Sequence, residues 1–217
     1  MNSFEPVPHF SGVWTRSIPI LQDNRGFFYE ELRVDDLPSH APEFVQDSMS
    51  YSRHNVLRGM HLQIDQWQLV TLLEGEIVDV LLNLEANSKN YAKSISFKLT
   101  WDKMNQLLIA PGIAHGFAVL GEFARIHYKS SVYYGSTQQF GIHWASPELA
   151  HLWPTGEWVV SERDSTFQLL QDIEMNSKLN KIDYVIKLFK EMPATFRLTK
   201  RSSPGNLIIA NRYKHDI

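Results

Sequence analysis

Between about residue 10 and residue 160 the apolar positions fall into short runs of β-branched and aromatic residues. Turn residues separate the runs at close spacing. The runs cover residues 26–31, 68–73, 76–84, 94–99, 106–109, 116–119 and 124–134, and the breaks carry Asp23-Asn24, Glu74-Gly75, Asn87-Ser88, Pro111-Gly112 and Gly121. A helical period competes only near residues 32–38. The pattern predicts an all-β domain, most economically a closed or two-sheet barrel of the jelly-roll kind. After Asp164 the period changes. Ile182, Val185, Ile186 and Phe189 recur at helical spacing, which predicts a helix over residues 181–191 that Met192-Pro193 ends. The chain therefore reads as a jelly-roll domain over residues 1–165 and a partly helical C-terminal extension over residues 166–217. The apolar stripe is expected to pack on the barrel or on a partner subunit. Beyond residue 200 only a Ser203-Pro204-Gly205-Asn206 turn and an apolar run at 207–210 stand out, and no internal repeat is evident.

Composition narrows this picture. The 217 residues are 43% hydrophobic and 21% charged, as in an ordinary globular protein. Zero cysteines exclude a disulfide framework, a thiolate metal site and a cysteine nucleophile. No apolar run is long enough to span a bilayer, and the first ten residues lack the basic and apolar regions of a signal peptide. A soluble cytoplasmic protein without a membrane partner is the expectation. The net charge of -3 hides an asymmetry, because residues 168–217 carry nine Lys/Arg against five Asp/Glu. Those charges are scattered, so a solvated surface is preferred over a nucleic-acid partner.

The chemistry concentrates in Arg58-Gly59-Met60-His61. On a strand, successive side chains alternate faces, so Arg58 and His61 share one only if Gly59 bends the backbone. A bulge there would aim both into one cavity. Further candidates are Asn24-Arg25-Gly26-Phe27-Phe28-Tyr29-Glu30, Ala114-His115-Gly116-Phe117, the run from Tyr128 to Tyr134, and Ser161-Glu162-Arg163-Asp164. Taken alone, a single strand histidine is more often structural than catalytic.

With Phe44-Val45-Gln46-Asp47, the Gly141-Ile142-His143-Trp144 segment and Asp79-Val80, these motifs in this order closely resemble the dTDP-4-dehydrorhamnose 3,5-epimerase family of cupin-fold enzymes, from about residue 10 to residue 165. The resemblance implies a jelly-roll barrel, normally a homodimer, that epimerises carbons beside the ketone of a nucleotide-linked 4-keto-6-deoxy sugar. Such a ketone acidifies its neighbouring C–H bonds, so one base and one acid suffice, and neither metal nor redox cofactor is needed. By the same resemblance His61 is the base, Asp164 the carboxylate that pairs with it, and Tyr128 the acid. Arg25, Glu30 and Arg58 match residues that hold the nucleotide diphosphate. Phe28, Gln46, Gln68, His115 and Tyr134 fall at positions expected in the pocket. Tyr133 and Tyr134 are consecutive, so only one of them is expected to face inward if both lie on a strand.

Three positions depart from the family pattern. Gln68 stands where the family generally has a lysine expected to stabilise the enolate, and Ser48-Met49 replace an Asn-His pair. A substrate with different hydroxyls, or inversion at C3 alone or C5 alone, is consistent with both changes. Two other functions remain open at this level: a ketoisomerase of the same barrel class, and a non-catalytic sugar-nucleotide binding module. A metal-dependent cupin needs two or three histidines and a carboxylate in one site, and the first motif offers only His61.

Overall fold

The structure, a computed structural model, describes residues 3–85, 88–103, 105–136 and 139–177. In chain order the strands are β1 (Glu5–Pro6), β2 (Val13–Ser17), β3 (Leu21–Asp23), β4 (Gly26–Phe28), β5 (Gln46–Arg53), β6 (Leu57–Gln63), β7 (Gln68–Asn83), β8 (Ser94–Thr100), β9 (Asn105–Ile109), β10 (Ile113–Ser130) and β11 (Gln139–Gly141). Three short helices follow, α1 (Pro147–Ala150), α2 (Glu162–Ser165) and α3 (Leu170–Ser177).

Two long strands organise the barrel. The first half of β7 pairs with β9, and the second half of β10 pairs with β5, in a layer ordered β1-β2-β9-β7-β10-β5. The other halves of β7 and β10 pair with β8 and β6, in a layer ordered β8-β7-β10-β6-β11. Every one of these pairings is antiparallel, as a jelly roll requires. The sequence pattern placed a break at Glu74-Gly75 and another at Gly121, where the structure has continuous strands that bend. At the first bend Gly75 has φ +92°, and a Cβ there would lie 2.0 Å from the Phe123 carbonyl oxygen. The ladder shifts register between Val119 and Ala124 at the same crossing. Turn residues thus mark where a strand passes from one layer to the other, and they do not end it.

Three apolar clusters follow from the alternation. Val70, Leu72, Ile77, Leu81, Phe117, Val119, Ala124 and Ile126 fill the barrel interior. Leu57, Met60, Val80, Leu82, Ala114 and Ala118, on the other face of the second layer, are covered by Ile142, Leu149, Trp153 and Leu170. Leu69 and Leu108, on the outer face of the first layer, meet Phe4, with Leu32, Leu37, Ala41 and Phe44 packed against them. Residues 29–44 therefore form a strap rather than an element. Its one regular turn is a 3-10 turn at Val34–Asp36, where a helical period was expected. Buried Arg16 ties it down, donating to the Glu31 carbonyl at 2.9 Å and pairing with Asp36 at 2.8 Å.

β3 and β4 form a separate two-stranded hairpin whose Leu21, Phe27 and Phe28 are exposed. The run expected over residues 26–31 is thus a strand only as far as Phe28. Leu170 is buried in the cluster over the second layer, so the covering layer continues past residue 165. The helix expected over residues 181–191 and the 203–206 turn lie outside the described residues.

Candidate active site

The bend expected at Gly59 is present. Gly59 has φ +121°, and a Cβ there would sit 2.6 Å from Gly116 Cα and 3.0 Å from the His115 carbonyl oxygen. The ladder between β6 and β10 shifts register at this point, between His115 and Phe117. The consequence is visible on both faces. Leu57 and Met60 join the outer apolar cluster, while Arg58 and His61, each one residue further on, line the same cavity.

That cavity, of about 220 Å³, opens at the end of the barrel where β7 begins. It is lined by Gln46, Ser48 and Ser50 of β5, Arg58, His61 and Gln63 of β6, Gln66, Gln68 of β7, His115, Gly116, Phe117, Tyr128 and Ser130 of β10, and Tyr134. Gln46, Ser48 and Ser50 are alternate residues of one strand, and this polar period-two stripe was a sequence signal for the wall that the motif reading passed over. Ser48, which stands where the family has an asparagine, is one of the lining residues, while Met49 is not and is 61% exposed.

His61 Nε2 lies 2.9 Å from Asp164 Oδ1. Asp164 comes from the far end of the chain on α2, whose N-cap Ser161 accepts a hydrogen bond from the Asp164 amide. Its second oxygen accepts from the Gly59 amide at 3.0 Å. Burial pushes the Asp164 carboxyl up, but the hydrogen bonds from His61 and Gly59 outweigh it and hold the group below its ordinary value. Phe167 stands edge-on to the His61 ring at 6.0 Å, and a Cβ at residue 141 would run into the Phe167 ring at 2.2 Å. Gly141 is thus the residue that lets this aromatic close on the histidine; sequence reasoning named Gly141 only as part of a motif and missed Phe167.

Tyr128 shares a hydrogen bond of 3.0 Å with Ser50, and burial pushes its phenol well above the usual range. It stays protonated at neutral pH and can only act as an acid there. Deeper in, His115 Nε2 lies 2.8 Å from Gln68 Oε1, and His115 Nδ1 faces the fully buried Asp79 at 3.7 Å. Arg58 donates from Nε to Ser52 at 2.9 Å and keeps an exposed guanidinium at the rim. Gln46 accepts from the Tyr134 amide at 2.7 Å. Tyr134 reaches the cavity from a turn rather than a strand, and Tyr133 does not line it.

Arg25, Phe28 and Glu30, expected in the same pocket, are not among its lining residues. Arg25 pairs instead with Asp23 at 2.6 Å within the exposed hairpin, and Glu30 lies 3.6 Å from Arg33. The motif match could not reveal this, because β3 and β4 pair only with each other and stand apart from the main sheet. Among the described residues no group of three or more His, Asp or Glu side chains could hold a metal ion.

A family model described as dTDP-4-dehydrorhamnose 3,5-epimerase matches residues 8–172. A dTDP-4-dehydrorhamnose 3,5-epimerase of Escherichia coli K12 is 34% identical over 161 residues, spanning 71% of this chain and 87% of its own length. The crystal structure of a dTDP-6-deoxy-D-glucose-3,5-epimerase from Legionella pneumophila, in complex with dTDP-4-keto-L-rhamnose, superposes with a TM-score of 0.73 at 33% identity, covering 81% of this chain and 96% of that one. A 4-keto-6-deoxy sugar epimerase from the novobiocin gene cluster of Streptomyces spheroides gives a TM-score of 0.74 at 28% identity, covering 84% and 94%. The chain belongs to the dTDP-4-dehydrorhamnose 3,5-epimerase family, an isomerase with the cupin-like barrel of that family.

Proposed function

We propose that this member of the dTDP-4-dehydrorhamnose 3,5-epimerase family inverts C3, C5 or both in a dTDP-linked 4-keto-6-deoxyhexose, in the cytoplasm, as a step of deoxysugar biosynthesis. The observation that carries the mechanism is the His61–Asp164 pair set in the same cavity as a protonated Tyr128. With Asp164 accepting from Nε2–H, the free lone pair of His61 is on Nδ1, and this atom removes the proton beside the ketone. The C–H electron pair moves into the ring and the C4 oxygen gains the charge. The imidazolium formed is stabilised by Asp164. The Tyr128 phenol then returns a proton to the other face of the carbon, which inverts it.

The remaining polar groups divide by position. Arg58 at the rim suits a phosphate, since a guanidinium can make paired hydrogen bonds to its oxygens. The cavity of about 220 Å³ is below the about 300–1,000 Å³ typical of clefts that hold a whole drug-sized ligand, so it takes the sugar and leaves the nucleotide outside. Arg25, Phe28 and Glu30 are placed to meet that nucleotide only if a second copy of the chain brings its hairpin over the rim. We therefore read the active unit as a homodimer with exchanged hairpins, which also gives exposed Leu21, Phe27 and Phe28 an apolar partner.

The test is incubation of dTDP-4-keto-6-deoxyglucose with the protein in deuterated water, followed by proton NMR. Deuterium at C3 or C5, with inversion of the labelled carbon, is the expected result. A shifted carbonyl would assign a ketoisomerase instead, and binding without any exchange would assign a non-catalytic module.

A further inference from the structure

Proton removal beside the ketone leaves a negative charge on the C4 oxygen, and a cavity walled by Phe117 and the barrel core must supply a donor for it. Several lining amides and hydroxyls are already engaged. Gln46 Nε2 donates to Ser48 at 2.9 Å, Gln66 Nε2 to Ser130 at 3.0 Å, and Tyr128 and Ser50 share one bond at 3.0 Å. His115 Nε2 is engaged with Gln68 at 2.8 Å. The Gln68 amide nitrogen makes no hydrogen bond among the described residues, so both of its hydrogens are available.

What fixes that orientation lies behind it. Asp79 is fully buried between Ile77 and Leu81, and neither of its oxygens has a hydrogen-bond partner among the described residues. The nearest ionisable group is His115, at 3.7 Å. A lone buried carboxylate is costly, and burial pushes the Asp79 carboxyl up, so its contact with the ring favours one placement of His115. In that placement His115 Nε2 lies 2.8 Å from the Gln68 carbonyl oxygen, which accepts from it, and the amide N–H groups are left for the cavity.

Resting on the epimerase reading, we propose that Gln68 is the catalytic donor to the C4 enolate oxygen, and that Asp79 and His115 are positioning residues which lock its amide in the donating sense. This assigns a neutral amide, backed by a buried pair, to a place where a cationic side chain is the obvious alternative. It also gives a reason for a carboxylate at the floor of an apolar barrel.

Steady-state kinetics and solvent deuterium exchange on dTDP-4-keto-6-deoxyglucose, with wild type, Gln68→Leu, Gln68→Lys, His115→Phe and the Gln68→Leu/His115→Phe double variant, test it. Gln68→Leu is expected to lower kcat about 100-fold with KM within about threefold, as for loss of one oxyanion donor, and Gln68→Lys to stay within about tenfold of wild type. His115→Phe should lose kcat similarly, and the double variant should lose less than about threefold more, because both act on one donor. A folded Gln68→Leu with kcat within threefold of wild type overturns the proposal, and so does a double variant whose losses multiply. If His115→Phe does not fold, the comparison of leucine with lysine at position 68 decides alone. A wild type that exchanges no proton overturns the epimerase reading itself, whereas an exchanging wild type with an indifferent Gln68 overturns only this assignment.

Discussion

At the scale of single residues, the candidate site was legible as residue types and order, and of its geometry only the bend at Gly59 was. His61, Tyr128 and Asp164 are recognisable because their motifs fall in a fixed sequence, although 103 positions separate His61 from the carboxylate it meets. His61→Ala is expected to lower solvent exchange at the carbon by at least about 100-fold, within the usual range for a general base. Tyr128→Phe should separate two events. The base can still remove a proton and return a deuteron to the same face, so exchange persists while inversion falls about 100-fold or more; equal loss of both would contradict its role as the acid. Asp164 carries a pH signature. Its folded-state pKa is held below the unfolded value by His61 and Gly59, so its contribution to stability is present above the ordinary carboxylate range and is lost as pH falls through the lower folded value. Asp164→Asn should cost about 1–3 kcal/mol near neutral pH and flatten the stability profile below about pH 4, as measured by chemical denaturation at several pH values. What no residue-level reading supplied was Phe167, which reaches His61 only because residue 141 lacks a side chain.

At the scale of elements, runs of β-branched and aromatic residues marked β4 and β7 to β10 but passed over β2 and β5, and glycine was ambiguous. The same residue type that ends a strand also bends one, and the difference lies in what approaches it. Gly75 admits the Phe123 carbonyl and Gly59 admits Gly116, contacts between strands that are distant in sequence. β7 and β10 were therefore expected as pairs of short strands and are single strands shared by both layers. Gly59→Ala tests the more consequential bend. The added methyl would meet backbone at 2.6 Å with φ at +121°, so a loss of at least about 2 kcal/mol is expected in a denaturation series, together with loss of exchange activity. A variant as stable and active as wild type would mean that the bend does not hold Arg58 and His61 in one cavity.

At the scale of the whole molecule, the barrel was legible because its order of strands and turns recurs as a class, while the pairing of β3 and β4 as a hairpin apart from the main sheet was not. Arg25, Phe28 and Glu30 lie outside the cavity they were expected to line. If the hairpin serves the partner subunit, mixing His61→Ala subunits with Arg25→Ala subunits rebuilds one intact site in each mixed dimer. Activity should then rise to about a quarter of wild type at equal mixing, from near zero for either variant alone. No recovery, with subunit exchange verified, would place the hairpin over its own barrel.

The most direct test of the central claim remains the exchange experiment on dTDP-4-keto-6-deoxyglucose in deuterated water, read by proton NMR with wild type and His61→Ala side by side. The account predicts deuterium at C3 or C5 with inversion in wild type and a loss of at least about 100-fold in the variant. Equal exchange in the two proteins, or binding of the nucleotide sugar by wild type with no exchange at either carbon, would contradict it.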